Sequence, residues 1–417
     1  MNGGFYLKTR NVFYLFLLLN IMNYLDRQIT SAVLPLLKES FHASDQALGV
    51  LGSAFMITYA LIALPFGMWS DRWQAHKVAA IGAVIWSAAT MLSALAWSIE
   101  SLYVFRALIG IGEAAFVATG STILSKLYVQ SRRARILALF NLGMPIGSSI
   151  GVLAGGALGV HFGWQFAFCI VGLPGLILAF FTWRLRLDRN PDHQKHAPNM
   201  DTSSAQININ DVKQLFGNKP FILLSVGYAM ISYGFGALSF FGPTLLNREM
   251  GYSVDAAGLV LGAIIAVSGF IGVPIGGYIA DYWLKRNGRA RIHVVIISMT
   301  ISCALLYLGL QLVSIPLIAA SIFFLFWHVG VISSLLYDVT EYRIWNTATA
   351  LLLFIMHIIG DVPSPTVTGY LSEQTNLLFS LKMLVIPMLL AVVFFSWMTK
   401  YVSSKVSLTD QNITHSS

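Results

Sequence analysis

The stretch Gly67-Met-Trp-Ser-Asp71-Arg72 follows a long apolar run, and a similar stretch, Gly277-Tyr-Ile-Ala-Asp281, follows another such run much later in the chain. Each has a proline shortly before it, at Pro65 and Pro274. The pattern Gly-x-x-x-Asp alone recurs by chance in many sequences. Its recurrence at corresponding positions, each after the second of six apolar runs, indicates an internal repeat of two similar halves.

The composition of the chain indicates that its solvent is lipid rather than water. Of the 417 residues, 56% are hydrophobic and 11% are charged, whereas a soluble domain carries about 25% charged residues. Cys169 and Cys303 lie inside apolar runs, so we expect packing residues rather than a disulfide framework. The first apolar run lacks a small-residue cleavage site and continues into a long span, which argues against a cleavable signal peptide.

The apolar runs predict an all-α membrane protein with twelve transmembrane helices in two pseudo-symmetric six-helix bundles. A helix needs about 20 mostly apolar residues to cross the hydrocarbon layer, and isolated strands would leave backbone groups unpaired in lipid. The predicted spans of the first half are 11–36, 46–69, 77–97, 102–127, 135–159 and 165–183, and those of the second half are 220–245, 256–279, 291–311, 314–337, 346–371 and 378–400.

A polar, turn-rich segment separates the two halves. We therefore predict three parts. The first is an N-terminal bundle over 1–183 and the second is a cytoplasmic linker over 184–219. The third is a C-terminal bundle with a short cytoplasmic tail over 220–417.

The positive charges predict the orientation of the chain. If the N-terminus is cytoplasmic, then the termini, the linker and the loops on that side hold most of the 26 lysines and arginines. Lys38, Arg248 and Lys382 fall on the opposite side, and Arg27 and Arg106 fall within spans. This bias follows the positive-inside rule and explains the net charge of +8 without nucleic acid as a partner. We expect a multi-pass protein of a bacterial inner membrane with both termini cytoplasmic.

Residues 67–77 resemble the signature that follows the second helix in the major facilitator superfamily. Gln74 and Ala75 stand where that family usually has glycine and arginine, while the basic end of the signature is kept. In the family this loop acts as a cytoplasmic latch. The resemblance therefore implies gating roles for Asp71, Arg72 and Asp281.

Further motifs resemble one branch of that superfamily, the Spinster-like transporters. The motif of helix 11, from His357 to Pro365, is the most diagnostic, because anion–cation symporters share the motifs of helices 1 and 4 but usually lack this one. The resemblance covers most of both halves and is weakest around helix 10. The other matching motifs are Asn23-Tyr-Leu-Asp-Arg-Gln28, Phe105-Arg-Ala-Leu-Ile-Gly-Ile-Gly-Glu-Ala114, Asn141-Leu-Gly-Met-Pro-Ile-Gly-Ser148 and Gly163-Trp-Gln-Phe166.

Glu113 lies near the middle of predicted helix 4, among the small residues Gly110, Gly112 and Ala114. A charge at the centre of a membrane helix costs about 3 kcal/mol, so it needs a partner, water or a proton. Burial favours the neutral acid and a nearby arginine favours the carboxylate, a balance that suits loading and releasing a proton. We predict that Glu113 couples transport to protons, as the resemblance also implies, and that it contacts substrate. The alternative is a static ion pair.

Asp26 and Arg27 are adjacent in helix 1, so they point about 100° apart and cannot pair with each other. We predict that Asp26 takes part in proton coupling and that Arg27, with Tyr24, binds an anionic headgroup. A guanidinium pairs bidentately with carboxylate or phosphate. The alternative is a structural pair, either Arg27 with Glu113 or Asp26 with Arg106.

Helices 11 and 4 supply further candidates. His357 and Asp361 are four residues apart and share a helix face, so we predict a hydrogen-bonded pair that contacts substrate. Pro363 breaks the helix just after this pair and is predicted to act as a gating hinge; the alternative is a structural kink with a satisfied histidine. Arg106, two turns before Glu113, is predicted to act in gating, and the alternative is that it snorkels at the membrane edge.

Small residues recur along predicted helix 5 and predict close packing against a neighbouring helix. They are Gly143, Gly147, Gly151, Gly155 and Gly156.

Together these features predict a secondary active transporter that works by alternating access. We expect proton coupling and an amphiphilic anionic substrate such as a lysophospholipid or sphingoid phosphate. The alternative is a symporter or exporter of small organic anions, siderophores or drugs. The sequence shows no nucleophile elbow, P-loop or metal-ligand cluster, so we expect neither an enzyme nor a cofactor or metal site. The expected partners are substrate, protons and membrane lipids, with the chain acting as a monomer.

Overall fold

The computed structural model describes residues 5–6, 9–128, 130–186 and 209–403, and for a few of these, including Asp71 and Arg72, it describes the backbone alone. The helices before the linker are α1 (Thr9–Phe41), α2 (Asp45–Arg72), α3 (Ala75–Ser93), α4 (Ile99–Leu127), α5 (Gln130–Asn141), α6 (Gly143–Phe162) and α7 (Trp164–Trp183). Two-residue strands, β1 (Phe5–Tyr6) and β2 (Leu185–Arg186), pair in parallel at the two ends of this region.

The helices from residue 209 onwards are shorter and more often interrupted, and the first of them lies within the predicted linker. They are α8 (Ile209–Gly217), α9 (Lys219–Met250), α10 (Val254–Val267), α11 (Val273–Leu284), α12 (Ala290–Gln311), α13 (Ile315–Leu325), α14 (His328–Val339), α15 (Trp345–Met356), α16 (Pro363–Gln374), α17 (Leu377–Lys382) and α18 (Val385–Met398). Single π-helical turns at Ser268–Gly272 and His357–Asp361 join α10 to α11 and α15 to α16.

Among the described residues, eleven helical segments are long and apolar enough to cross a membrane. They include the continuous segments Arg135–Phe162, Val254–Leu284 and Thr347–Gln374, each built from two of the helices above. The helix α1, with 33 residues, is also long enough, but polar residues in its middle lower its mean hydropathy. With α1, the described helices account for the twelve spans that the sequence predicts.

Packing divides the chain into two compact units. The first unit contains Met1–Ile207 together with Phe240–Gly262, and the second contains Asn208–Ser239 together with Ala263–Ser417. The second part of α9 and most of α10 therefore belong to the first unit. The predicted division at residues 184–219 follows chain order and stays a prediction.

The first unit is assembled through close contacts at glycines. A Cβ atom built on Gly147 or Gly151 of α6 would lie 2.3 or 2.5 Å from the carbonyl oxygens of Ile21 and Leu25 in α1. These separations are far below ordinary van der Waals contact, so α1 and α6 cross at a distance that only glycine permits. The predicted close packing of helix 5 is confirmed, and it fixes the backbone beside Asp26 and Arg27.

The same unit contains a three-residue ion cluster at Asp45, the first residue of α2. Arg248 of α9 contacts both carboxylate oxygens of Asp45, at 2.8 and 2.9 Å, and Lys38 of α1 contacts Oδ1 at 2.6 Å. Asp45 is 6% exposed. Two of the three basic residues predicted on the non-cytoplasmic side thus share one buried carboxylate.

In the second unit, prolines follow both π-helical turns. Pro363 begins α16 one residue after the turn at His357–Asp361, and Pro274 lies at the start of α11. Proline lacks a backbone N–H and its ring crowds the preceding turn, so the regular α-helical hydrogen bonding ends here. The predicted break at Pro363 is confirmed, whereas its predicted role as a hinge stays a prediction.

Candidate functional site

The centre of the first unit holds a buried ion pair between α1 and α4. Arg27 donates from Nη2 and Nε to Glu113 Oε2, at 2.8 and 3.2 Å. The side chain of Glu113 is 0% exposed and that of Arg27 is 15% exposed. The structure therefore brings together the two residues that the sequence singles out. Their pairing is also the geometry that a purely structural role would require.

Three aromatic rings surround the Arg27 guanidinium. Its central carbon lies 5.1 Å from the ring centre of Tyr24, 5.0 Å from that of Phe55 and 4.8 Å from that of Tyr59. A cation within about 6 Å of a ring face is attracted to it. The rings therefore stabilise the charge of Arg27 independently of Glu113. The sequence identifies Tyr24, but Phe55 carries no polar group that would mark it as part of a charged site.

Arg106 lies in the same region without a carboxylate partner. It is 2% exposed, its Nε donates to the Leu51 carbonyl at 3.4 Å, and its guanidinium carbon lies 4.7 Å from the centre of the Phe55 ring. No carboxylate of the described residues comes within ion-pair distance of it. Its burial argues against snorkelling, because a snorkelling side chain keeps its charged head in water.

Asp26 occupies the interior of the first unit. It is 2% exposed, and Glu113, Arg106 and the Thr90 hydroxyl lie near its carboxylate. It forms no ion pair within 4 Å, so the alternative of a direct pair with Arg106 is not what the structure shows. Asp26 and Arg27 thus lie near the same glutamate but have different surroundings.

A second polar group lies in the second unit, around the π-helical turn of α15 and α16. His357 Nδ1 is 2.7 Å from Asp361 Oδ2, and Ser232 of α9 donates to Asp361 Oδ1. The predicted histidine–aspartate pair is confirmed, while contact with substrate stays a prediction. Ser232 was not foreseen, because a lone serine in an apolar run is usually bonded to its own helix.

Among the gating candidates, the structure describes the side chain of Asp281 in the second repeat but not those of the first repeat. The side chains of Asp71 and Arg72 lie outside the described residues. Asp281 is exposed and contacts Arg291 of α12 at 3.1 Å, and the same arginine contacts Asp338 of α14 at 2.7 Å. The sequence does not single out Asp338, because only the fold brings it to Arg291.

Metal ligation has no support within the described part of the chain. No group of three or more histidine, cysteine, aspartate or glutamate side chains there is arranged to hold an ion.

Comparison with known proteins identifies the family. The model of the Major Facilitator Superfamily matches residues 16–343, most of the chain. The chain belongs to the major facilitator superfamily. It is therefore a membrane transporter, and the predicted twelve-helix fold is confirmed.

Individual relatives place this transporter more narrowly. It is 31% identical over 386 residues to protein spinster homolog 1 of Xenopus tropicalis, which covers 85% of this chain and 71% of that protein. It spans only 60% of the length of the Drosophila melanogaster protein spinster. It is also 28% identical over 379 residues to the hexuronate transporter of Bacillus subtilis, covering 88% of both chains. The predicted membership of the Spinster branch is confirmed.

A solved structure supports the fold of this transporter. The crystal structure of a bacterial homolog of the human lysosomal transporter Spinster, in an inward-facing and unoccupied conformation, matches with a TM-score of 0.82. The match covers 94% of this chain and 97% of the other, at 21% identity. At that identity the likeness concerns the fold alone.

Proposed function

We propose that this protein is a proton-coupled secondary transporter of an amphiphilic anionic substrate, such as a lysophospholipid or sphingoid phosphate, and that it works by alternating access. The observation that carries the proposal is the Arg27–Glu113 pair, in which the carboxylate is fully buried while the arginine remains partly exposed. Breaking a buried ion pair by removing one partner typically costs 3–5 kcal/mol. Protonation removes the charge of Glu113 without leaving a buried anion unpaired.

The proposed cycle uses Arg27 as a ligand shared between Glu113 and the substrate. When Glu113 accepts a proton, its attraction for Arg27 falls, and the rings of Tyr24, Phe55 and Tyr59 still hold the guanidinium in place. Arg27 is then available to bind an anionic headgroup through two parallel hydrogen bonds. When the proton leaves, the Glu113 carboxylate competes for Arg27 again. Proton loading and substrate release are thereby linked.

Further parts of the proposal concern the second unit, the two repeated loops and the orientation of the chain. We infer contact of substrate with His357 and Asp361, and gating roles for Asp71, Arg72, Arg106, Asp281 and Pro363. The distribution of lysines and arginines supports cytoplasmic termini, and we propose a bacterial inner membrane as the location. We also propose that the chain acts as a monomer.

A small organic anion is the second candidate substrate, and similarity to a hexuronate transporter favours it. Such a substrate would use the same Arg27 guanidinium, because carboxylate and phosphate are bound alike. The two substrate classes differ in their apolar part, because a lysolipid has a long acyl chain and a sugar acid has none. A panel of lysolipids and sugar acids tested for thermal stabilisation of the purified protein distinguishes them, since a ligand that binds the folded state raises its stability.

The central test is transport by Glu113→Gln in proteoliposomes, with the substrate chosen from that panel. We expect the variant to insert and fold but to lose acceleration of transport by an imposed pH gradient, because glutamine cannot release a proton. Glu100→Gln is the matched control, since Glu100 lies in the exposed first turn of the same helix. A pH-gradient response equal to that of the parent protein would exclude Glu113 as the coupling residue.

Arg27→Ala separates substrate binding from structure in the same assay. We expect it to weaken an anionic substrate far more than a neutral analogue, because only the anion loses its charge partner. Equal loss for both would identify Arg27 as structural.

A further inference from the structure

Nine buried polar atoms on α1, α3 and α4 have no hydrogen-bond partner among the described residues. They belong to Asn23, Asp26 and Thr30 of α1, to Trp86, Ser87 and Thr90 of α3, and to Arg106 and Glu113 of α4, with both amide atoms of Asn23 included. Each of these eight residues is at most 2% exposed. Buried polar groups nearly always have a partner, and leaving one unpaired costs about 1–3 kcal/mol. Elsewhere in the described chain only Thr244, Arg291 and Trp327 have such an atom.

Several observations place these residues around one region. Asn23, Asp26 and Thr30 are spaced i, i+3 and i+7, so they share one face of α1. Trp86, Ser87 and Thr90 are spaced i, i+1 and i+4 on α3, and Arg27, next to Asp26, is bonded to Glu113 of α4. Glu113 and Arg106 lie near the Asp26 carboxylate, and so does the Thr90 hydroxyl, which forms no hydrogen bond with it. We call these eight residues the helix 1–3–4 polar cluster.

The side of the cluster towards α7 is shaped by a glycine. A Cβ built on Gly175 would lie 2.1 Å from Ser87 Oγ and 3.6 Å from Trp86 Nε1. Both polar atoms therefore lie next to the same glycine, yet they are not hydrogen-bonded to each other. Any larger residue at this position would displace the serine hydroxyl.

The chemistry of the nine atoms identifies what satisfies them. Three of the atoms can only donate a hydrogen bond: Asn23 Nδ2, Trp86 Nε1 and Arg106 Nη1. Three accept one when the carboxylates are ionised: Asn23 Oδ1, Asp26 Oδ1 and Glu113 Oε1. The hydroxyls of Thr30, Ser87 and Thr90 can both donate and accept. A metal cation would satisfy the oxygens and leave the N–H groups unpaired, and an anion would do the reverse. Water donates and accepts, and buried waters typically make about three hydrogen bonds to such groups.

We propose that the helix 1–3–4 polar cluster binds ordered water molecules that join Glu113 to Asp26 and pass protons between them. This inference rests on the proposed proton coupling. In the transfer, the Glu113 carboxylic acid gives its proton to the adjacent water. Each water passes one proton onward, and the last O–H bond forms on the Asp26 carboxylate. Glu113 is left as a carboxylate able to pair with Arg27, and no other reactant is consumed.

Thr90 is a positioning residue in this arrangement. Its hydroxyl lies near the Asp26 carboxylate and can hold the water that delivers the proton there. Thr119 of α4 provides a matched contrast, because it is equally buried but its hydroxyl donates within its own helix, to Ala115 O at 2.9 Å. Replacement of either threonine by valine keeps the side-chain shape and removes one hydroxyl.

The first experiment detects the bound water directly. Radiolytic hydroxyl-radical labelling of the full chain in detergent modifies buried side chains that touch ordered water. We expect labelling of Trp86 despite its burial, at a rate several-fold above that of Phe168, which is similarly buried and packs against Trp164. A rate for Trp86 no higher than that for Phe168 would overturn the water cluster.

The second experiment tests the proton route by stopped-flow proton uptake after a pH drop, using a pH dye. The phase that Glu113→Gln removes should be several-fold slower in Thr90→Val and unchanged in Thr119→Val. Equal rates in both valine variants would refute the role of Thr90. These outcomes can be told apart from failure of the proposed function. If Glu113→Gln leaves coupling unchanged, the coupling role of Glu113 is rejected. If Trp86 is not labelled, only the proposed water cluster is rejected.

Discussion

Phe55 is shared by two buried cations. Its ring centre lies 5.0 Å from the Arg27 guanidinium and 4.7 Å from that of Arg106, and its own exposure is 1%. Each cation–π contact contributes about 0.5–2 kcal/mol, more when water is excluded. One apolar residue therefore helps to keep two charges inside the bundle.

We expect Phe55→Leu to lower the thermal unfolding temperature more than Phe168→Leu does. Both substitutions remove a buried ring of the same size, but only the first also weakens two cation contacts, for an added cost of about 1–3 kcal/mol. The measurement is thermal unfolding of the purified variants in one detergent. Equal losses would mean that packing alone explains the role of Phe55.

The sequence identified the charged members of the site and missed their apolar support. Glu113, Arg27 and Asp26 stand out because charges inside a membrane are costly. Phe55 does not stand out, because phenylalanine is common in membrane helices for packing alone. Asp45 and Arg248 were missed as a pair for a different reason: they are far apart in the chain, and only the fold joins them.

At the scale of elements, the crossing of α1 and α6 positions the functional side chains. Gly151 contacts the backbone of Leu25, the residue immediately before Asp26 and Arg27. Because the contact is between backbones, it leaves no flexible side chain that could move aside. The orientation of the charged pair therefore depends on the absence of a side chain on the neighbouring helix.

We expect Gly151→Ala to destabilise the protein and Gly330→Ala to be neutral or stabilising. Alanine is favoured over glycine in a helix by about 1 kcal/mol, and a Cβ at Gly330 would meet nothing within 4 Å. At Gly151 the new Cβ would lie 2.5 Å from the Leu25 carbonyl oxygen. Thermal unfolding of the two variants measures the difference, and a stabilised Gly151→Ala would disprove the close crossing.

The membrane-spanning helices can be predicted from the length and composition of the apolar runs, whereas the breaks within those helices can be predicted only in part. Apolar length located the spans, and Pro363 located the break of helix 11. The π-helical turn at His357–Asp361 was not predictable, because an extra residue in one turn depends on tertiary contacts such as that of Ser232 with Asp361. Likewise, the glycines of α6 predict a closely packed neighbouring helix, but only the fold identifies that helix as α1.

At the scale of the whole molecule, the chain is divided differently by sequence order and by packing. The repeat of Gly-x-x-x-Asp predicts two equal halves, whereas packing assigns Phe240–Gly262 to the first unit. Contacts such as Arg248 with Asp45 explain this assignment. A sequence repeat shows which positions of the two halves correspond. It does not show which residues the end of each helix packs against.

The assignment of Phe240–Gly262 has a consequence for a chain cut in two. A fragment that ends within the linker lacks this segment, so Asp45 loses Arg248 and Gly156 loses its backbone contact with Val254. The second fragment carries the missing piece at the end of its own first long helix. We expect the two fragments to accumulate and co-purify when co-expressed, and the first to be degraded when expressed alone. Accumulation of the first fragment by itself would show that it folds without Phe240–Gly262.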